Sequence, residues 1–389
     1  MEINALLKNI ANAIANAKDN NIGLFTGMSG FALYELSYGI YFKNEYFLLK
    51  GMQFVDKILH KINDSNAIES LCSGIAGVGW LLNYVKKEKW NIFYNIDSVL
   101  EEIDKYLILK LNKYLSINYW DYLHGYVGIG IYLLGRVHNN PIVTNALKKI
   151  IETLENSAII DQDTVKWKSM NNGNFNISLS HGISGILIFL IQSYKLGILK
   201  ERSNILLEGC IAYLLSQRID FHKYNSFFPT FSLECKKDFY GSRYGWCYGD
   251  LGVCYALWYA GNTLNKQDLQ ETILNILIFE SEKRKNLEQN GIKDACFCHG
   301  AVGVAHIYYR MWLNTNILQF KNAANYWYEK TINMSIFQDG VVGYKAYCNA
   351  EKGYIKQYDF LNGITGIGLS LMHYYLQKKP NFDSCLMLS

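Results

Sequence analysis

The sequence predicts an all-α protein, an (α/α)7 double toroid of seven inner and seven outer helices with Gly-x-x-Gly at the inner-helix starts. Three observations predict it. Gly-x-x-Gly followed by an apolar run occurs seven times in 389 residues; segments apolar all round alternate with segments that carry one polar face; and there are only three prolines. A chain of average composition and this length would hold on the order of twenty prolines, and helix interiors are what chiefly exclude them.

Taken in order, the chain opens with an amphipathic outer helix, Ile3 to Ala17, and the first inner helix starts at Gly27-Met28-Ser29-Gly30. Gly74-Ile75-Ala76-Gly77 opens the second, whose stretch from Gly77 to Val85 is apolar nearly all round, the mark of a buried helix. Ile92 to Leu115 keeps a polar face and is an outer helix; it leads to Gly125-Tyr126-Val127-Gly128. Gly182-Ile183-Ser184-Gly185 opens the fourth inner helix, the outer stretch Ser203 to Gln217 follows, and Gly249-Asp250-Leu251-Gly252 opens the fifth. Gly300-Ala301-Val302-Gly303 and Gly363-Ile364-Thr365-Gly366, the latter running to near Gln377, complete seven pairs.

Successive motifs stand 47 to 67 residues apart, which fits two helices of roughly 15 to 17 residues at 1.5 Å rise with two loops. An even split of buried and half-buried helices favours an inner ring of parallel helices inside an outer ring over an open solenoid. The expectation is one domain over residues 1–389 with long rim loops near 159–179, 220–245 and 339–358, shaping an open groove for a long peptide. Pro141 and Pro229 are expected in connections, and Pro380 at the end of the last helix.

Composition narrows the function. Half the residues are hydrophobic and 15% aromatic, too much burial material for a disordered chain. The net charge is only +4, and no Lys/Arg run interleaved with aromatics gives a nucleic-acid footprint, so no nucleic acid is expected as partner. The N-terminus lacks the basic start of a signal peptide. The most apolar stretch, Ile183 to Ile191, is about nine residues where a membrane helix needs about twenty. Nine cysteines without a tight framework suggest a cytoplasmic protein whose thiols are buried or act as ligands.

If the inner helices run parallel, the residues before each first glycine share one rim. One position before stand Thr26, Ser73, His124, His181, Tyr248, His299 and Asn362; two before, Cys72, Cys247 and Cys298; four before, in repeats three and seven, Asp121 and Asp359. Cys247, Cys298 and His299 come from consecutive repeats and would be neighbours on a ring. Two thiolates and an imidazole suit Zn2+ and leave a fourth position open, the catalytic pattern. The other reading is that these are core thiols.

Trp246-Cys247-Tyr248-Gly249, Cys298-His299-Gly300 and the Gly-x-x-Gly series together resemble the lanthionine synthetase C (LanC) family of lanthipeptide cyclases and LanC-like proteins, over nearly the whole chain. The resemblance implies that Cys247, Cys298 and His299 bind zinc. It implies a catalytic His181 in Ser180-His181-Gly182-Ile183, a catalytic Asp121 in Trp120-Asp121-Tyr122-Leu123-His124-Gly125, and a functional Arg243 four before the first zinc cysteine. Two positions depart from the family pattern: His124 stands where an acidic residue is common and Asn362 where glutamate is frequent, and both bear on substrate choice.

Cys296 is the rival ligand, Cys72 reads as a buried thiol and His306 as a satisfied core histidine. His60, His138, His222 and His373 have no motif around them. Asp359 fits helix N-capping better than catalysis.

The implied reaction is addition of a peptide cysteine thiol to a dehydroalanine or dehydrobutyrine of the same peptide, forming a thioether ring. His181 is the expected general acid, Asp121 its partner, and Arg243 a stabiliser of developing charge or a holder of Asp121. The implied partners are a dehydrated precursor with its leader peptide, a dehydratase and an ABC exporter, the last two giving peripheral membrane association. Other readings are glutathione addition to dehydroamino acids, a silent LanC-like scaffold, and a zinc prenyltransferase-like toroid, which would need a diphosphate clamp of several basic residues.

Overall fold

The computed structural model describes residues 2–62, 67–90, 95–138, 140–170, 173–237 and 239–389. Its helices are α1 (Ile3–Ala15), α2 (Met28–Tyr41), α3 (Glu45–Lys61), α4 (Ile75–Lys87), α5 (Ile96–Ser116), α6 (Tyr126–Leu134), α7 (Pro141–Ser157) and α8 (Ile183–Lys195). They continue with α9 (Lys200–Ser216), α10 (Phe221–Tyr224), α11 (Asp250–Thr263), α12 (Gln267–Lys283), α13 (Ala301–Thr315), α14 (Leu318–Asn333) and α15 (Ile364–Tyr375). Apart from the single-turn α10, the elements alternate as the sequence predicts. Helices α2, α4, α6, α8, α11, α13 and α15 are the inner set, and in each the first glycine of the motif is the N-cap.

Burial separates the two sets. In α8 nearly every residue from Ile183 to Ile191 is buried, whereas its outer neighbour α7 buries only Val143, Ala146, Leu147, Ile150, Ile151 and Leu154, spaced at the helical period. Pro141 is the first residue of α7 and not part of a connection; its missing N–H is one the helix would leave unpaired there anyway.

The rim loops hold more regular structure than expected. Among the described residues two antiparallel hairpins appear, β1 (Ile159–Asp161) with β2 (Thr164–Lys166), and β3 (Ala346–Asn349) with β4 (Gly353–Ile355). The first follows from β-branched residues, Ile159, Ile160, Thr164 and Val165, around a tight turn in which Gln162 takes φ 55°.

The chain divides into two compact units, residues 1–96 with 292–389, and residues 97–291. In the continuous unit the inner helices α6, α8 and α11 pack side by side. Outer α5 is tied to α6 by a buried charge pair: Asp104 accepts from Tyr132 Oη at 2.6 Å and pairs with Arg136 at 2.9 Å. In the discontinuous unit α13 packs on α15, α15 on α2 and α2 on α4, and α1 also lies against α15. The last repeat thus meets the first, the contact a closed ring requires and an open solenoid lacks. His306 is indeed a satisfied core histidine, between Ser370 Oγ at 2.9 Å and Asp383 Oδ2 at 3.0 Å.

In several motifs the second glycine is a docking slot for the neighbouring repeat. A Cβ on Gly77 would stand 2.8 Å from the Cβ of Leu24, one on Gly252 2.9 Å from that of Leu179, and one on Gly366 3.1 Å from that of Phe297. Each partner lies three residues before the first glycine of the preceding repeat. The same fit joins repeat seven to repeat one, where Phe360 faces Gly30. These apolar residues are buried, Leu24, Leu179, Phe297 and Phe360 at 0% exposure. Only a residue without a side chain lets the neighbour's backbone and apolar group approach this closely.

Candidate active site and metal ligands

The loops before the inner helices share one backbone design. The first helical N–H donates to the carbonyl seven residues earlier: Met28 to Asn21 at 2.8 Å, Tyr126 to Tyr119 at 2.9 Å, Ile183 to Asn176 at 2.8 Å and Ala301 to Asp294 at 3.0 Å. Repeat five differs, for its N-cap Gly249 takes φ 94°, a left-handed conformation that glycine tolerates. Backbone bonds also link residues two before the first glycine in adjoining repeats, Phe25 N to Cys72 O at 2.9 Å, Ser180 N to Cys247 O at 3.3 Å and Cys298 N to Leu361 O at 2.9 Å. Side chains at this level are therefore set by main-chain geometry.

In the continuous unit this design brings together Asp121, His181 and Cys247. Asp121, buried, accepts from the backbone N–H of His124 at 2.8 Å through Oδ1 and meets His181 Nδ1 at 2.7 Å through Oδ2. His181 Nε2 is left as the nitrogen that can reach a substrate, the side chain being 29% exposed. Burial pulls the His181 imidazole down, but the hydrogen bond and charge of Asp121, with the Cys247 thiolate adding, outweigh it and hold its pKa above the ordinary value.

Two neighbours complete this arc. The His124 ring stacks on His181 at 6.1 Å, and burial, with the like charge of His181 adding, lowers its pKa in spite of Asp121. The Tyr248 ring lies 6.2 Å from that of His181, and its hydroxyl is 3.4 Å from Asn176 Nδ2. From sequence His124 bears on substrate choice only, and Tyr248 has no role beyond its position before the first glycine, the one signal the two share.

Arg243 is exposed on the segment leading to Trp246. Among the described residues no hydrogen bond joins its side chain to Asp121 or His181. The segment itself is held by a buried cluster: Arg284 pairs with Asp250 at 2.6 Å and Glu280 at 3.2 Å and donates to Ser242 O, while Asp250 accepts from the N–H groups of Phe227 and Phe228. Burial first, then the Asp250 charge, pushes Glu280 well above the usual carboxylate range.

In the discontinuous unit Cys298 and His299 are half-buried just before α13. Asp294 Oδ2 lies 3.6 Å from His299 Nε2. Donor atoms of Asp294, Cys296 and His299 lie within 4.8 Å of one another, a spacing that could hold a metal. Cys296 is fully buried, and burial pushes its thiol up to about 12. Cys72 is buried as expected. Asp359 Oδ1 caps the turn at Asn362 N, at 2.6 Å, and not the helix, whose N-cap is Gly363; burial raises its carboxyl to about 6. His60, His138, His222 and His373 play no part in this arrangement.

By structure, the chain is similar to a solved protein described as nisin cyclase, with TM-score 0.77 and 19% identity over 99% of this chain and 97% of that one. The two share the all-helical toroid fold. No curated protein sequence matches the chain. A family model described as lanthionine synthetase C-like protein matches residues 19–387. With its seven Gly-x-x-Gly inner helices and the Trp-Cys-Tyr-Gly and Cys-His-Gly segments set before two of them, the chain belongs to the lanthionine synthetase C-like family.

Proposed function

We propose that this protein is a zinc-dependent lanthipeptide cyclase, which joins cysteine thiols to dehydroalanine or dehydrobutyrine residues of one dehydrated peptide to form lanthionine and methyllanthionine rings. The observation that carries the reading is the 2.7 Å pair of Asp121 and His181 in the loop bonded to Cys247. A scaffold has no need of a buried carboxylate fixed on a half-exposed imidazole.

Cys247, Cys298 and His299 are the proposed zinc ligands. The donor set fits the ion: two thiolates cancel its charge, the imidazole is a common companion, and three protein ligands leave one position for a substrate thiol. Cys298 is preferred to Cys296 because it is half-exposed and can meet a substrate, whereas Cys296 is fully buried and burial pushes its thiol up to about 12. When bound, zinc supplies a deprotonated thiol at neutral pH, where a free thiol of pKa about 8.5 is mostly protonated.

The chain's own residues complete the addition. As the Sγ–Cβ bond forms, the Cα=Cβ electron pair moves towards the carbonyl and the α-carbon must gain a proton. His181 donates it from Nε2, and its raised pKa favours the charged, proton-donating form. Asp121 holds the ring by Nδ1 and stabilises its charged form; the proton lost by the substrate thiol passes to solvent, and His181 Nε2 regains its proton from solvent. Arg243, exposed on the segment leading to Trp246, is proposed to meet the developing enolate oxygen.

The substrate is proposed to carry a leader peptide, and a dehydratase and an ABC exporter to work alongside in the cytoplasm at the membrane. The test is zinc content and ring formation on a dehydrated precursor, with wild type, Cys298→Ala and His181→Ala. Cys298→Ala is expected to lose zinc. His181→Ala is expected to keep it and to lose about 10²- to 10⁴-fold in rate, the usual contribution of a positioned acid. A zinc-free wild type, or a zinc-loaded wild type that leaves every precursor thiol free, overturns the reading.

A further inference from the structure

His299 can ligate through either ring nitrogen, and a buried carboxylate of the same unit lies 3.6 Å from one of them. Asp294 stands six before the first glycine of its repeat, where repeats one and four carry Asn21 and Asn176. In all three the side-chain oxygen accepts from the backbone N–H two residues on, Asn21 from Gly23 at 2.7 Å, Asn176 from Ser178 at 2.9 Å and Asp294 from Cys296 at 2.9 Å. The turn therefore needs only the neutral carbonyl of asparagine.

Repeat six places a carboxylate there instead, fully enclosed, its side chain 1% exposed. The extra oxygen, Oδ2, accepts from Tyr347 N at 2.7 Å and lies 3.6 Å from His299 Nε2. Gly300 admits it, since a Cβ at that residue would collide with Asp294 Oδ1. The carboxylate is fixed from the other side by the β3–β4 hairpin: Tyr354 Oη donates to Lys293 O at 3.0 Å, and Lys293 Nζ sits 4.0 Å from the Tyr347 ring centre. A buried charge held by two backbone donors is a rigid reference against which a neighbouring ring can be oriented.

We propose that Asp294 is a positioning residue that holds the His299 ring by its Nε2–H and leaves Nδ1 as the metal-binding nitrogen. This rests on the reading that His299 is a zinc ligand. Carboxylate partners of ligating histidines fix the tautomer and raise the basicity of the other nitrogen, and their loss typically costs about 10- to 100-fold in metal affinity. Asparagine, sufficient for the turn in repeats one and four, keeps the turn but removes the charge.

Zinc affinity of the full chain is measured by competition with a chromophoric chelator for wild type, Asp294→Asn and Cys298→Ala, with melting temperature as the fold check. In parallel, 15N-histidine NMR of the zinc-loaded wild type, with His299→Gln to identify the signal, reports which ring nitrogen is protonated. The expected result is a 10- to 100-fold loss of affinity in Asp294→Asn with its melting transition kept, and a protonated Nε2 on His299 in wild type. Equal affinity of Asp294→Asn and wild type, or metal on Nε2, overturns the inference while leaving the zinc reading standing. A wild type without zinc overturns the zinc reading itself. Should Asp294→Asn fail to fold, the wild-type tautomer alone decides.

Discussion

Asp121 and His181 illustrate what a single residue pair contributes. The pair is buried on the Asp121 side and open on the His181 side, so the carboxylate stabilises the imidazolium while Nε2 stays available. The His181 pKa is raised in the folded protein. The stabilisation from charging is therefore fully present below the ordinary histidine value of about 6.5 and is lost as pH rises through the folded pKa. Asp121→Asn is expected to lower that pKa, moving the alkaline limb of the cyclisation rate to lower pH, and to narrow its stability deficit against wild type as pH rises. A limb that stays in place would show that Asp121 does not tune His181. Asp121 and His181 could be picked out from sequence through the family motifs around them, since their offsets from Gly-x-x-Gly are shared by Asp359 and by His124 and His299. Asp294 could not, since the signal lies in comparing it with Asn21 and Asn176, and the meaning of that offset becomes visible only once the turn's hydrogen bonds are known.

At the scale of elements, the inner helices were the legible part. Continuous apolar stretches such as Ile183 to Ile191 leave little choice but burial, and the glycines mark where each begins. The hairpins were not legible, because β1 and β2 are three residues each and their pairing rests on one turn. Which residue fills the second glycine's slot was not legible: it belongs to another repeat, so no local pattern reveals it. The connection between α10 and α11 shows how an irregular segment is kept in place. Its backbone hangs on Asp250 at the start of α11 and on Arg284 just after α12. Arg284→Leu leaves Asp250 buried without its counter-charge, which typically costs about 3–5 kcal/mol. The expected outcome is a lower urea midpoint with earlier proteolytic cleavage between residues 226 and 245; an unchanged midpoint would show that the cluster contributes no net stability.

For the whole molecule, the sequence supports an all-helical protein of seven repeats, and the fold found is that helical toroid with two short hairpins added among the described residues. The contact of α15 with α2 and α1 carries a consequence for how the chain is made. During synthesis the segment 97–291 can bury its core as soon as it leaves the ribosome, because its partners are contiguous. The helices α1 to α4 emerge earlier but must wait for α13 and α15, more than two hundred residues later, before their exposed apolar faces are covered. Closing so long a loop slows the step that rewards it. Pulse-labelling hydrogen exchange during refolding is expected to find protection in α6, α8 and α11 before α2 and α15, and simultaneous protection of both sets would contradict this order. In the cell, nascent α2 and α4, with their stretches of glycine and bulky apolar residues, are then the surfaces a chaperone would meet first, and the final repeat is the one that releases them.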